Sequence, residues 1–187
     1  MRPNSHPKRH RAESHPARLT NRRSIAALGI ALASALAVMM STAGAASADL
    51  GARYQSVTFR QPYLTAVGPR SEAVTMGPSR GADTEVWYSH LWRDGTARMR
   101  VLVDGAYRCL DDSPIGLRAF SPCWPGSSGY SRYQSWYRID RGRDRDGNRL
   151  YSFRNQATRN CLDWSPIGLR MFPCNGTPYQ TWRELLI

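Results

Sequence analysis

From residue 49 onward the chain is built of short β-prone runs broken by turn dipeptides. Val57-Thr58-Phe59, Met99-Arg100-Val101-Leu102-Val103 and Leu150-Tyr151-Ser152-Phe153 are rich in β-branched, aromatic and aliphatic residues and have strand lengths. Asp94-Gly95, Asp104-Gly105 and Asp146-Gly147 mark hairpin turns, because glycine supplies the positive φ such turns require. No stretch of this region combines an apolar stripe of helical period with an N-cap and a stop signal. The pattern predicts an all-β fold.

Part of that pattern is duplicated. Arg108-Cys109-Leu110-Asp111-Asp112-Ser113-Pro114-Ile115-Gly116-Leu117-Arg118 recurs as Asn160-Cys161-Leu162-Asp163-Trp164-Ser165-Pro166-Ile167-Gly168-Leu169-Arg170. Each copy continues through an aromatic residue and a Pro-Cys pair to Tyr-Gln-x-Trp, at Tyr133–Trp136 and Tyr179–Trp182. The lag is 52 residues at Ser-Pro-Ile-Gly-Leu-Arg and 46 at the tryptophan, so the second copy lacks six residues in a loop. A repeat of this length signals a duplicated supersecondary unit. Residues 50–95 are read as a third, degenerate copy. Leu64-Thr65-Ala66 is laid on Cys109-Leu110-Asp111, Ala73–Met76 on Leu117–Phe120, and Glu85-Val86-Trp87 on Gln134-Ser135-Trp136. Three units of this kind imply pseudo-threefold symmetry, with Trp87, Trp136 and Trp182 as equivalent core residues.

The first 48 residues have a different character. A basic stretch ends at Arg22-Arg23, an apolar run covers Ile25–Met40, and small residues end at Ala46-Ser47-Ala48. This is the form of a secretory signal peptide, expected to be cleaved before Asp49 and to leave one folded domain over residues 49–187. The run falls short of the ~20 apolar residues needed to span a bilayer. Arg22-Arg23 loosely resembles a twin-arginine signal without its usual continuation, so the export route stays open. The leader carries 7 of the 26 basic and 1 of the 14 acidic residues, so the formal charge of +12 falls to 19 basic against 13 acidic, or +6.

All four cysteines follow the leader, and an even count in an exported chain reads as disulfides. Of the three possible pairings, the repeat selects Cys109–Cys123 and Cys161–Cys174, which occupy equivalent positions. A zinc site is disfavoured: the spacings are unlike those of structural zinc motifs, and His90 is the single histidine after the leader.

Cys-Leu-Asp, then aromatic-Pro-Cys, then Gln-x-Trp, repeated at about 45 residues, resembles the ricin B-chain type β-trefoil, the R-type lectins, over residues 50–187. The Phe172-Pro173-Cys174-Asn175-Gly176 segment is most similar to secreted actinobacterial members, and the use of 25 arginines against one lysine fits a GC-rich genome of that kind. The resemblance implies a β-trefoil that binds carbohydrate without catalysis. It gives the Asp after Cys-Leu the role of accepting from vicinal sugar hydroxyls, and the aromatic before Pro-Cys that of stacking on the sugar face. A carboxylate suits the first task because charge-assisted hydrogen bonds are the stronger ones, and an aromatic ring suits the second because it covers a C–H patch.

In the third repeat these roles fall to Asp163, Phe172 and Gln180, the last orienting Asp163, and this repeat is expected to be the main site. In the middle repeat they fall to Asp111, Phe120 and Gln134, with Phe120 expected one residue out of register because Ser121 follows it. The first repeat, with Ala66 and Met76 at the matching places, is expected not to bind. Tyr133 and Tyr179 stand where galactose-binding members carry an Asn that contacts the sugar, which leaves the sugar unspecified.

Several residues have plainer readings. Asp111 and Asp163 could each satisfy local turn N–H groups. Trp164 replaces Asp112 and offers a second sugar platform or a packing residue. Arg118 and Arg170 are expected to solvate a strand edge, with an acidic sugar as the other reading. The Arg141–Arg149 run is expected to be a solvated hairpin rather than a nucleic-acid site, because two aspartates interrupt it and no aromatics interleave. The expected partner is a glycan or polysaccharide, bound by a monomer with no cofactor, metal, nucleic acid or membrane insertion. The competing reading is a trefoil of inhibitor or toxin-adaptor type that binds a protein, its sugar sites decayed.

Overall fold

The computed structural model describes residues 49–59, 62–124 and 129–187. The leader assigned to residues 1–48 lies outside them. The described chain forms β1 (Gly51–Ser56), β2 (Tyr63–Ala66), β3 (Val74–Gly77), β4 (Trp87–Leu91), β5 (Thr96–Val103), β6 (Ala106–Ser113), β7 (Gly116–Phe120), β8 (Trp136–Arg143), β9 (Arg149–Asn155), β10 (Asn160–Ser165), β11 (Gly168–Pro173) and β12 (Trp182–Leu186). Strands β1, β4, β5, β8, β9 and β12 pair antiparallel around a closed ring. Closure removes the exposed edges that an open sheet would present. The hairpins β2–β3, β6–β7 and β10–β11 leave this barrel once per repeat. This is a β-trefoil, and its first repeat is the degenerate one.

The three tryptophans tie hairpins to barrel. Trp87, Trp136 and Trp182 open β4, β8 and β12 and are fully buried. Their indole N–H groups donate to the carbonyls of Leu64, Leu110 and Leu162 at 2.9, 2.9 and 3.1 Å. The hairpins therefore lie at the tryptophan end of the barrel, and the opposite end, where those strands finish, is open. The residue two before each tryptophan is also buried and clasps the loop that precedes it. Glu85 accepts from Arg80 N, Gln134 from Trp124 N, and Gln180 from Asn175 N.

The indole contacts revise the alignment of the first repeat. Leu64 is equivalent to Leu110 and Leu162, so Thr65, not Ala66, occupies the Asp position. Thr75 faces Thr65 as Arg118 faces Asp111, and Gly77, not Met76, occupies the ring position. Because strand side chains alternate between faces, a shift of one residue exchanges inner for outer positions. Sequence similarity between so few residues could not fix that parity.

Two other expectations are corrected. Val57–Phe59 is not a strand: pairing with β12 ends at Ser56↔Trp182, and Ser56 Oγ accepts from Thr58 N as the chain turns away. Phe120 is in register with Phe172. Cys109↔Phe120 and Cys161↔Phe172 are equivalent pairs, each counted from the same Pro-Ile-Gly turn. Gly116 and Gly168 hold φ of +110° and +108° in those turns, a conformation that side-chain-bearing residues rarely adopt. The inserted Ser121 lies beyond the end of β7, where a loop absorbs it.

Candidate functional site

Each of the two intact hairpins carries the same constellation on facing strands. Cys109 joins Cys123 and Cys161 joins Cys174, so the first strand of each hairpin, β6 or β10, is fastened to the loop that follows the outer strand, β7 or β11. Asp111 and Asp163 face Arg118 and Arg170 directly across their hairpins. Both carboxylates are buried, at 3% and 2% exposure.

The arginines are the main departure from expectation. They do not solvate a strand edge. Arg118 Nε donates to Asp111 Oδ1 at 3.3 Å, and Arg170 Nε donates to Asp163 Oδ1 at 3.1 Å. Each guanidinium also lies over the aromatic two residues on, 4.0 Å from the Phe120 centroid and 4.2 Å from that of Phe172. A cation on a ring face gains from the ring quadrupole. In both repeats, therefore, an arginine is drawn onto the carboxylate and the ring to which the resemblance assigns the sugar. A register pair across an antiparallel hairpin brings side chains this close, but register is not printed in a linear sequence.

The two sites differ beyond this shared core. In the third repeat both Asp163 oxygens are engaged, Oδ1 by Arg170 and Oδ2 by Gln180 Nε2 at 3.3 Å. Gln180 also donates to the Pro173 carbonyl, so it holds Asp163 and the outer strand together. In the middle repeat, Asp111 Oδ1 accepts from Ser113 N and Arg118 Nε, and Oδ2 has no hydrogen-bond partner among the described residues. Arg118 is shared with the first repeat, since its Nη1 donates to Glu72 Oε2 at 2.8 Å. Gln134 donates to the Pro122 carbonyl at 3.2 Å.

The middle repeat also has a wall that the third lacks. A cavity of about 370 Å³ is bounded by Asp111, Arg118, Phe120, Trp124, Tyr130 and Tyr133. Its lining combines several aromatic surfaces with one carboxylate and one guanidinium, which is the composition of a small-molecule site. Trp124 and Tyr130 lie 6.0 Å apart between centroids; Trp124 stands where the third repeat has Asn175, and Tyr130 lies in the longer stretch between Cys123 and Gln134. Neither was singled out in the sequence. The available signal was a tryptophan in place of Asn175 together with five extra residues between Cys123 and Gln134, because aromatics added beside a candidate carboxylate are a site-building change. Tyr179, the counterpart of Tyr133, is half-buried.

Residues beside the two aspartates have diverged. Asp112 is buried and accepts a short hydrogen bond from the Thr158 hydroxyl. Burial pushes its carboxyl above the ordinary carboxylate range; the Thr158 bond opposes this and neighbouring Asp111 adds to it. Its counterpart Trp164 is a packing residue, edge-on to Phe59 at 6.1 Å and set against the core. No group of three or more potential metal ligands occurs among the described residues.

No family model matches this chain, and no curated protein matches it. Solved structures do match its fold. A mosquitocidal holotoxin superposes with a TM-score of 0.58 at 15% identity over 75% of this chain, although the match spans only 17% of the holotoxin chain. A BEL β-trefoil in an apo crystal form gives 0.56 at 11% identity, covering 74% of this chain and 93% of that one. SeviL, solved bound to the asialo-GM1 saccharide, gives 0.51 at 12% identity, covering 74% and 96%. At these identities the likeness establishes the β-trefoil fold.

Proposed function

We propose that this protein is a secreted, non-catalytic carbohydrate-binding β-trefoil whose principal site is the middle-repeat cavity. The observation that carries this reading is that Asp111, whose Oδ2 has no hydrogen-bond partner among the described residues, lines an aromatic cavity of about 370 Å³. One carboxylate oxygen is available to accept sugar hydroxyls, and Trp124, Tyr130 and Tyr133 offer faces for C–H patches. The third repeat, with Asp163, Phe172, Tyr179 and Gln180, is a secondary site, reached only if Arg170 swings away from Asp163 and Phe172. The structural neighbour SeviL was solved with a saccharide bound. Secretion is supported by the leader ending at Ala48 and by two disulfides that suit an oxidising compartment. The absence of catalysis is supported by the pairing of both candidate carboxylates with arginines on separate hairpins, an arrangement unlike two acids flanking a scissile bond.

A glycan array followed by titration of the best ligand tests this reading. Replacing Trp124 and Tyr130 together with alanine should weaken binding at least tenfold without loss of fold. The exposed Ile115 and Ile167 at the two hairpin tips favour the second reading, a protein partner. No glycan binding by the wild type, together with capture of a protein partner lost in an Ile115→Ser/Ile167→Ser variant, would select it.

A further inference from the structure

The open end of the barrel holds a second cavity, of about 570 Å³, far from the hairpins in the strand order. Its floor breaks the threefold symmetry of the core. The residues two past each tryptophan are Ser89, Arg138 and Glu184, on the equivalent strands β4, β8 and β12. Tyr54 bridges Ser89 and Glu184 at 3.1 Å to each, and Arg138 Nη2 donates to Glu184 Oε1 at 2.6 Å. The one carboxylate of the floor is thereby balanced by the one arginine beside it.

The wall is not balanced. Arg143 and Arg149 both line the cavity and face each other directly across the β8–β9 hairpin. Like charges directly opposite on paired strands destabilise the pairing. Arg143 Nη1 donates to the Gly147 carbonyl and Arg149 Nη1 to the Tyr151 hydroxyl, both neutral acceptors. Neither arginine forms an ion pair with a described carboxylate. Glu184 stands directly opposite Arg149 across the β9–β12 pair and, with Asp140, acts on it without forming an ion pair. The nearest acid within the hairpin, Asp144, is turned to Arg183 and accepts from both the backbone N–H and the side-chain amide of Asn148. The Arg141–Arg149 run is thus more than a solvated loop, since it brings to one concavity two guanidinium groups that have no ion-pair partner among the described residues, with Asn148 beside them.

We propose that this open end of the barrel binds a tetrahedral oxyanion ester on a sugar-sized ligand, a sulfated or phosphorylated monosaccharide. Arg143 and Arg149 each take a different oxygen of the ester, a geometry that planar guanidinium groups favour. The side-chain carbonyl of Asn148 and the hydroxyl of Ser89, which also line the cavity, accept from the sugar hydroxyls. The exposed side chains of Leu50, Leu91 and Leu186 form an apolar rim that shelters the ion contacts from water. The site shares no residue with the hairpin sites and stands whether or not they bind glycan.

Calorimetric titration at low ionic strength tests it, with glucose 6-sulfate, glucose 6-phosphate, inorganic sulfate and glucose as probes. One ester should bind with one-to-one stoichiometry, and an Arg143→Gln/Arg149→Gln variant should bind it at least tenfold more weakly. An Arg145→Gln variant, altered on the same hairpin but outside the cavity, should bind as the wild type does. Without anion, the double variant should unfold at a temperature no lower than the wild type, because a repulsion has been removed. The ester should raise the melting temperature of the wild type alone. Failure of both esters to bind, or an equal loss in Arg145→Gln, would overturn the proposal. Equal affinity for inorganic sulfate and for the ester would overturn its sugar component and leave a free-anion site.

Discussion

The middle and third hairpins share the disulfide, the buried Asp, the facing Arg, the stacked Phe and the buried Gln, yet they present different surfaces to solvent. In the third, Arg170 and Gln180 engage both oxygens of Asp163. In the middle, Arg118 is held between Asp111 and Glu72, one oxygen of Asp111 stays open, and a longer loop brings Trp124 and Tyr130 over it. Duplication has preserved the scaffold of the site, while a longer loop and Trp124 in place of Asn175 give one copy of that scaffold a cavity. Similarity to a binding motif therefore ranks the two repeats in one order, and the surrounding geometry ranks them in the other.

The scaffold the repeats have in common should respond alike in both. Trp136→Ala and Trp182→Ala each remove a fully buried indole and its bond to a leucine carbonyl, and each should cost about 3–5 kcal/mol. Urea unfolding checks this. A cost that differs severalfold between them would mean that the two repeats do not share one core.

The carboxylates should respond differently. Asp163→Ala strands Arg170 and takes one partner from the buried Gln180, and should cost about 2 kcal/mol. Asp111→Ala leaves Arg118 its bond to Glu72 and should cost about 1 kcal/mol. Asp163 is therefore a poor place to test binding, because its loss disturbs the fold. Equal costs in the two variants would remove the distinction between a closed site and an open one.

The smallest effect concerns Asp112, which the third repeat replaces with Trp164. Burial raises its carboxyl in the folded state, so the folded protein holds this proton more tightly than the unfolded chain does. Its contribution is most favourable at acid pH and is lost as pH rises from the unfolded value, about 4, through the folded one. Asp112→Asn should therefore be slightly more stable than wild type at pH 7, with the difference closing as pH falls into that window. A difference that widens on acidification would reverse the sign of this account.

Much of the fold was legible in the chain. The spacing of Trp87, Trp136 and Trp182 located the core tryptophans, the duplicated Cys positions gave the disulfide pairing, and Asp-Gly dipeptides marked the turns after β4, β5 and β8. What stayed hidden depends on pairing across strands. The frame of the first repeat rested on a few apolar residues, and only the Trp87 bond to Leu64 set its parity. Phe120 was judged from its distance to Cys123, whereas strand register runs from the Pro-Ile-Gly turn. Arg118 and Arg170 lie seven residues past their aspartates, and a hairpin turn is what brings them together.

The central claim is that the middle-repeat cavity, rather than the better motif match in the third repeat, carries glycan binding. Titrating one array-selected glycan against Trp124→Ala/Tyr130→Ala and against Phe172→Ala tests it most directly, with circular dichroism confirming the fold of both variants. The account predicts at least a tenfold loss for the middle-repeat variant and less than a threefold loss for Phe172→Ala. The reverse order, with Phe172→Ala abolishing binding while the Trp124 and Tyr130 variant binds normally, would contradict it.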